Sequence, residues 1–460
     1  MRLRLLPATL LALVIGLGLP APARAIDLLE ALQLAERNDP NLAAVRATRA
    51  AAAEGTSISR ADLLPRLVAS GSQTRNTLQQ DSFGEAKYDS TQWSAKLSQP
   101  LFRWDAWHRH QAAKAQRSQA ELQTDEQRQS VYLGIAEAYF NVLRAEDNLT
   151  LAKAQEAAFN RQREQAEARF QVGLIARTDV LEAEAQRDAA TALRLSSEIA
   201  LGSARETLHA ALGSTVDGLA RLREQLPMTA PVPDSADAWA GLAREKNPGL
   251  LSLRESARAA DAARKAQQGG FLPQVDVFTS YSSRDNGSTS NPSVNFNSGT
   301  TDVVGIEASW ELFASGKTLA SVRQAGLNAE AVRQQARARE FQVVNGARTG
   351  YLTVKADSAR LQARQRAQAS AELALEAVKA GYSVGTRNIV DLLLAESGLY
   401  AARRDYANAR YDYVINTLRL HAAAGLVNEE LVRGINGWLE ASGTASAPGE
   451  PAAASSSPAG

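Results

Sequence analysis

From Asp105 to Gln171 the chain contains no proline and a single glycine, Gly134, in a run rich in Ala, Gln, Glu and Arg. At 1.5 Å per residue such a run predicts roughly 100 Å of uninterrupted helix. No globular core surrounds an element of that length, so it must lie beside others as a coiled coil, with small residues allowing close approach. A helix from about Thr178 to Leu212 supplies roughly 50 Å and one from Asn41 to Leu63 roughly 35 Å, so two short helices end to end nearly match the long one. The second half repeats the pattern, with a long helix predicted from about Gly316 to Gly381 and a shorter one from about Thr386 to Ala424.

The repetition extends to single residues. ARFQVGLIARTDVLEA at 168–183 is answered by AGYSVGTRNIVDLLLA at 380–395, and a constant offset of 212 residues separates Gly173 from Gly385 and Asp179 from Asp391. Leu64-Pro65 answers Leu272-Pro273, and Tyr139 answers Tyr351. The chain therefore reads as a tandem duplication, 26–226 and 238–440, joined by the proline-rich linker 227–237. The tail 441–460 reads as disordered from its Ala, Ser, Pro and Gly content.

Arg2 and Arg4, an apolar run from Leu10 to Leu19, and small residues at Ala23 and Ala25 predict a signal peptide over 1–25 and export from the cytoplasm. Cysteine is absent, so no disulfide forms and no lipid attaches through an N-terminal thiol. Past residue 25 no apolar stretch approaches the roughly 20 residues of a membrane helix, which leaves a β-barrel as the only spanning structure.

Each half carries strands where a barrel would need them. In TQWSAKLSQPLF, Trp93, Ala95, Leu97 and Leu101 alternate with polar residues; in DVVGIEASWEL, Val304, Ile306, Ala308, Trp310 and Leu312 do so. With their partners these strands predict one hairpin per half, about 66–102 and about 274–313. Strands of about ten residues suit a bilayer crossing, and Phe102, Trp104, Trp107, Phe271, Trp310 and Phe313 gather at their ends as an interfacial girdle. Four strands cannot close a barrel. Two chains would supply eight strands, leaving an interior filled by side chains; three would supply twelve and an aqueous lumen, so a pore prefers three.

Lys and Arg number 51 against 50 Asp and Glu, a net charge of +1, which gives no footprint for nucleic acid. His108 and His110 point apart on a helix, and His209 and His421 hold matching places in the repeat, so no metal site or cofactor is expected. No nucleophile elbow, phosphate loop or HExxH motif is present, and no enzymatic role is expected.

These residues together resemble the TolC family of outer-membrane export channels, most densely over 380–430, with support from FQVGLIARTDV at 170–180 and QPLF at 99–102. The resemblance covers essentially the whole mature chain. It implies a homotrimer: a twelve-stranded β-barrel, four strands per chain, in the outer-membrane lipid, continuous with a long α-helical barrel in the periplasm. It implies a passive duct of a tripartite system for type I protein secretion or multidrug efflux, served by a periplasmic adaptor and an inner-membrane ABC or RND-type transporter. Carried over position by position, it implies a periplasmic gate network of Thr178, Asp179, Tyr382, Arg387 and Arg410, a pore constriction at Asp391, and adaptor docking at the tips, Gly173, Leu174, Gly385 and Thr386. Relatives most alike along this stretch carry a second aspartate where this chain has Leu394, which halves the acidic ring. Absence of an N-terminal cysteine favours the secretion-type branch over the lipoprotein channels.

Simpler roles compete at each position. Asn388 can cap the following helix and put Asp391 in its first turn, where an acid complements the helix dipole; Asp179 has a similar place. Arg387 and Arg410 can be solvated surface arginines. The rival reading of the whole chain is an exported soluble coiled-coil scaffold or adhesin, which leaves the alternating strands without a purpose.

Overall fold

The computed structural model describes residues 25–440 except 82–83, 217, 229 and 291–296. The tail at 441–460, and all but the last residue of the leader, lie outside the described residues.

The first half runs α1 (Leu28–Asn38), α2 (Pro40–Ala61), β1 (Arg66–Gln80), β2 (Gly84–Phe102), α3 (Trp104–Gln171) and α4 (Arg177–Leu212). The second runs α5 (Ala236–Lys246), α6 (Pro248–Gln268), β3 (Gln274–Asn286), β4 (Gly299–Ser309), α7 (Lys317–Ser383) and α8 (Ile389–Ala423), closed by α9 (Glu429–Asn436). The long helices α3 and α7 reach 68 and 67 residues. Ahead of α2 and α6 stands a further short helix, before the start expected at Asn41 in the first half. Asp39 and Asn247 divide each pair: their side chains accept from the backbone N–H of Leu42 at 2.7 Å and of Leu250 at 3.0 Å, with a proline at the first helical position.

The four strands form one antiparallel sheet in the order β1-β2-β3-β4. They span 15, 19, 13 and 11 residues, longer than the ten predicted. β4 stops at Ser309, so Trp310, Leu312 and Phe313 lie beyond the sheet, exposed. Register sorts the side chains into two sets. Leu67 opposes Leu97, Ala95 opposes Tyr281 and Thr279 opposes Val304, which collects Leu67, Trp93, Leu97, Tyr281, Val304 and Ile306 on one face, all exposed. The other face carries Ser70, Ser94, Lys96, Asp276, Ser282 and Glu307. Gly305 opposes Phe278 there, and a Cβ at 305 would stand 3.3 Å from the ring. An apolar face backed by a polar one is the pattern of a barrel wall between lipid and water. Below the sheet, Trp104 donates its indole N–H to the Lys265 carbonyl at 3.0 Å and Trp310 donates to that of Phe271 at 3.2 Å, so both rings face outward with their polar edge satisfied.

The helices form four columns: α2 and α4 in line, then α3, then α6 and α8 in line, then α7. α3 packs on α2, α4, α6 and α8, and α7 packs on α5, α6 and α8. Midway along, a belt joins both halves around Tyr139, Phe140, Leu143, Trp239, Tyr411, Tyr413 and Leu418. Tyr139 places its hydroxyl 3.0 Å from the carbonyls of Ile26 and Ala220, and burial pushes that phenol well above its ordinary pKa. The linker is strapped to this belt: the Trp239 indole donates to Pro233 O at 2.8 Å, Arg348 pairs with Asp237 at 2.6 Å, and the Tyr351 hydroxyl bonds the Asp234 carboxylate.

Candidate functional site

At the end far from the sheet, two helical hairpins turn on the same device. In the first, Gly173 has φ 76° and donates to Phe170 O at 2.9 Å, while Leu174 N–H reaches back to Arg169 O at 2.9 Å. In the second, Gly385 has φ 81° and donates to Tyr382 O at 3.2 Å, while Thr386 N–H reaches Gly381 O at 2.9 Å. The positive φ is why the repeat keeps glycine here. Thr386 also donates its hydroxyl to Gly381 O at 3.0 Å, and a Cβ at Gly381 would lie 2.8 Å from Arg387 Cγ, so this tip is drawn tight. Val172, Leu174 and Val384 stand exposed at the two turns.

The hairpins meet just above the turns. Ile389 and Leu393 of α8 bury themselves against Phe159, Ala166, Val180 and Ala183 of α3 and α4, and half-buried Tyr382 packs against both this cluster and a second one built on Leu375, Leu392 and Leu399. Tyr382 is therefore wedged at the seam between hairpins. Arg169 lies over its ring at 4.9 Å, and Arg177 lies over Phe170 at 5.6 Å. Neither arginine was singled out in the sequence, although Arg169 directly precedes the aromatic of the first turn.

Of the predicted network, Thr178 and Asp179 occupy the first turn of α4, whose N-cap, Ala176, has no capping side chain. Arg387 is exposed and approaches Asp391 at 3.8 Å, one turn along α8. Asn388 does cap α8, its Oδ1 accepting from Asp391 N–H at 2.8 Å. That leaves the Asp391 carboxylate free of capping duty and half-exposed, next to exposed Leu394. Within the protomer, and among the described residues, no hydrogen bond joins Thr178 or Asp179 to Tyr382 or Arg387.

Arg410 does not join the others. Nineteen residues beyond Asp391, it stands roughly 28 Å up the helix. It is 8% exposed and donates to Leu222 O at 3.0 Å and to Arg223 O, which ties the segment after α4 to α8. That segment also pairs with the residues after α9, Arg223 N–H donating to Trp438 O at 3.0 Å. In this chain Arg410 is a brace of the belt. Glu396, also unforeseen, is buried on α8 with Oε2 unpartnered among the described residues.

No helix is long and apolar enough to cross a membrane, and no cluster of His, Cys, Asp and Glu suited to a metal occurs, among the described residues. The tips thus consist of two helical arms, an apolar seam between them, and charges around an end.

The model of the outer membrane efflux protein family matches residues 31–214 and 239–426, one match per half. Outer membrane protein TolC of Vibrio cholerae is 33% identical over 414 residues, covering 90% of this chain and 94% of the relative. Alkaline protease secretion protein AprF of Pseudomonas aeruginosa is 30% identical, covering 88% and 86% respectively. The crystal structure of VceC, an outer membrane protein of Vibrio cholerae, superposes with a TM-score of 0.76 at 20% identity, over 86% of this chain and 96% of that one, and attests the shared fold. With both halves matched and relatives of this identity aligned along nearly the whole length, the chain belongs to the outer membrane efflux protein family and is an outer-membrane channel of the efflux and secretion type.

Proposed function

We propose that three copies of this chain form a closed duct, with a twelve-stranded barrel in the membrane and a helical barrel in the periplasm. The observation that carries this is the sheet itself: among the described residues its edges, β1 and β4, have no further strand to pair with, and open edges are not tolerated in lipid. The helical part supports the same closure. Its outer columns leave Leu181, Leu195 and Ile199 on α4 and Leu327, Phe341, Leu352 and Leu373 on α7 exposed, two apolar stripes suited to meet in the next copy.

The duct is passive. It is joined at its tips, Gly173-Leu174 and Gly385-Thr386, by a periplasmic adaptor and served by an inner-membrane transporter of the ABC or RND type. Likeness to a protease secretion protein supports protein export, and likeness to TolC leaves room for small-molecule efflux. At rest the tips lean inward, Thr178, Asp179, Tyr382 and Arg387 hold neighbouring hairpins across the copies, and Asp391 forms a ring of three at the constriction. Leu394 keeps that ring single.

The test is electrophoresis without boiling and single-channel recording on protein extracted from outer membranes. A detergent-stable trimer with a small resting conductance is expected, and Tyr382→Phe with Arg387→Ser enlarges the conducting state. A monomer in the soluble periplasmic fraction refutes the assembly. A closed-like conductance in the double variant refutes the gate while leaving the trimer intact.

A further inference from the structure

The strand register distributes charge unevenly between the two faces of the sheet. On the outward, apolar face the acids have company: Asp89 pairs with Arg75 at 2.8 Å and Glu85 with Lys87 at 2.7 Å. Asp302, opposite Tyr281, and Asp285, opposite Thr91, belong to that outward set too. On the inward face the two acids lie at the periplasmic end, and each is matched by a base. Arg103 forks onto Asp276, and Lys96 reaches Glu307 at 3.2 Å while its ammonium lies 4.4 Å from the Phe278 ring centre.

Two inward cations remain. Arg66, opposite Ser98, is exposed. Arg284, opposite Gln92, is exposed and donates to the neutral Gln92 Oε1 at 2.7 Å. Among the described residues neither guanidinium meets a carboxylate. Around and between them the inward face is hydroxyl-rich, with Ser70 and Ser94 in contact at 2.9 Å and Ser72, Ser280 and Ser282 in the same set. The stretches at 82–83 and 291–296 contain no acidic residue.

We infer that the barrel lumen is an anion-favouring section of the duct, set by Arg284 towards the outer mouth and Arg66 towards the periplasmic end. It suits anionic solutes and acidic polypeptide segments. The inference rests on the three-copy barrel proposed above, in which each guanidinium becomes a ring of three facing water. Fixed charge of one sign on a low-dielectric wall raises the local concentration of counter-ions. In series with it, the Asp391 end carries the opposite sign, so the duct is polarised along its length.

Reversal potentials of the full-length trimer in planar bilayers under a potassium chloride gradient test this. Arg284→Gln with Arg66→Gln is expected to lower the chloride-to-potassium permeability ratio by about twofold in dilute salt, where the Debye length of ~30 Å at 0.01 M reaches across a lumen, and to change little at 1 M. Arg284→Lys with Arg66→Lys keeps the wild-type ratio, and Arg75→Gln, on the lipid side, leaves it unchanged. Conducting channels whose ratio is the same in wild type and the double glutamine variant overturn the inference alone. Chains that form no trimer and no pore overturn the barrel reading, and the inference with it.

Discussion

The guanidinium of Arg169, at the foot of α3, lies 4.9 Å from the ring centre of Tyr382, at the foot of α7. The contact bridges the two hairpins of one protomer at their seam, and the 212-residue repeat places Gly381 where a second copy of this arginine would stand. The cation thus clamps one hairpin to the other without an equivalent in reverse. A cation–π contact contributes ~0.5–2 kcal/mol, so Arg169→Ala is expected to raise the occupancy of the larger conducting state about two- to thirtyfold. Arg169→Lys retains the charge and most of the effect. Single-channel dwell times in planar bilayers measure both.

Arg410 makes a different demand. Replacing it with alanine leaves the Leu222 and Arg223 carbonyls without their donor in a buried setting, at a cost of about 1–3 kcal/mol. Chemical denaturation of the purified channel is expected to show that loss, while resting conductance stays at the wild-type level. An enlarged conductance with unchanged stability would return Arg410 to the gate.

His421 rests edge-on against Trp239, 5.1 Å between ring centres, and burial lowers its pKa below the ordinary 6.5, with the Thr417 carbonyl opposing the shift. The unfolded chain therefore binds the proton first. Stability from this residue is complete above pH 6.5 and is lost as pH falls from there through the folded value. Thermal unfolding between pH 7 and pH 5 should show a declining midpoint in the wild type, and a shallower decline in His421→Gln.

Glu396 carries the opposite expectation. A buried carboxylate oxygen without a partner costs about 1–3 kcal/mol, so Glu396→Gln, which removes the charge at equal volume, is expected to raise the denaturation midpoint. A fall in the midpoint would mean that the carboxylate finds a partner in the assembled trimer.

Much of the architecture could be read directly. The absence of proline from Asp105 to Gln171 and the Val-Gly pairs at both turns place the long arms and their tips, because an uninterrupted helix and a positive φ each have few alternatives in residue choice. The start of α2 was legible to within a residue, because proline suits a first helical position and no interior one, whereas the short helices α1 and α5 were not read from their eleven residues each. Alternation through Trp310 and Leu312 reads as strand, yet pairing ends at Ser309, because its partner Gln274 is the first residue of β3 and Pro273 before it has no N–H to offer. The tip itself divides in the same way. Local turn chemistry was legible in Gly173, Gly385 and Asn388. Arg169 on Tyr382 was not, because that contact joins helices far apart in sequence and depends on how they pack. Arg410 entered the gate by analogy of position, and only its buried partners reveal its work as a brace.

The unpaired margins of β1 and β4 also bear on how the molecule comes into being. The Tyr139 belt finds its partners within one chain. The 15 and 11 residues of the two margins do not, so a protomer by itself presents a packed stalk beneath an unfinished sheet with adhesive edges. In the three-copy duct proposed above, closing the sheet is then the last step and depends on protomer supply. Until that step the same edges stay open to pairing with any other strand.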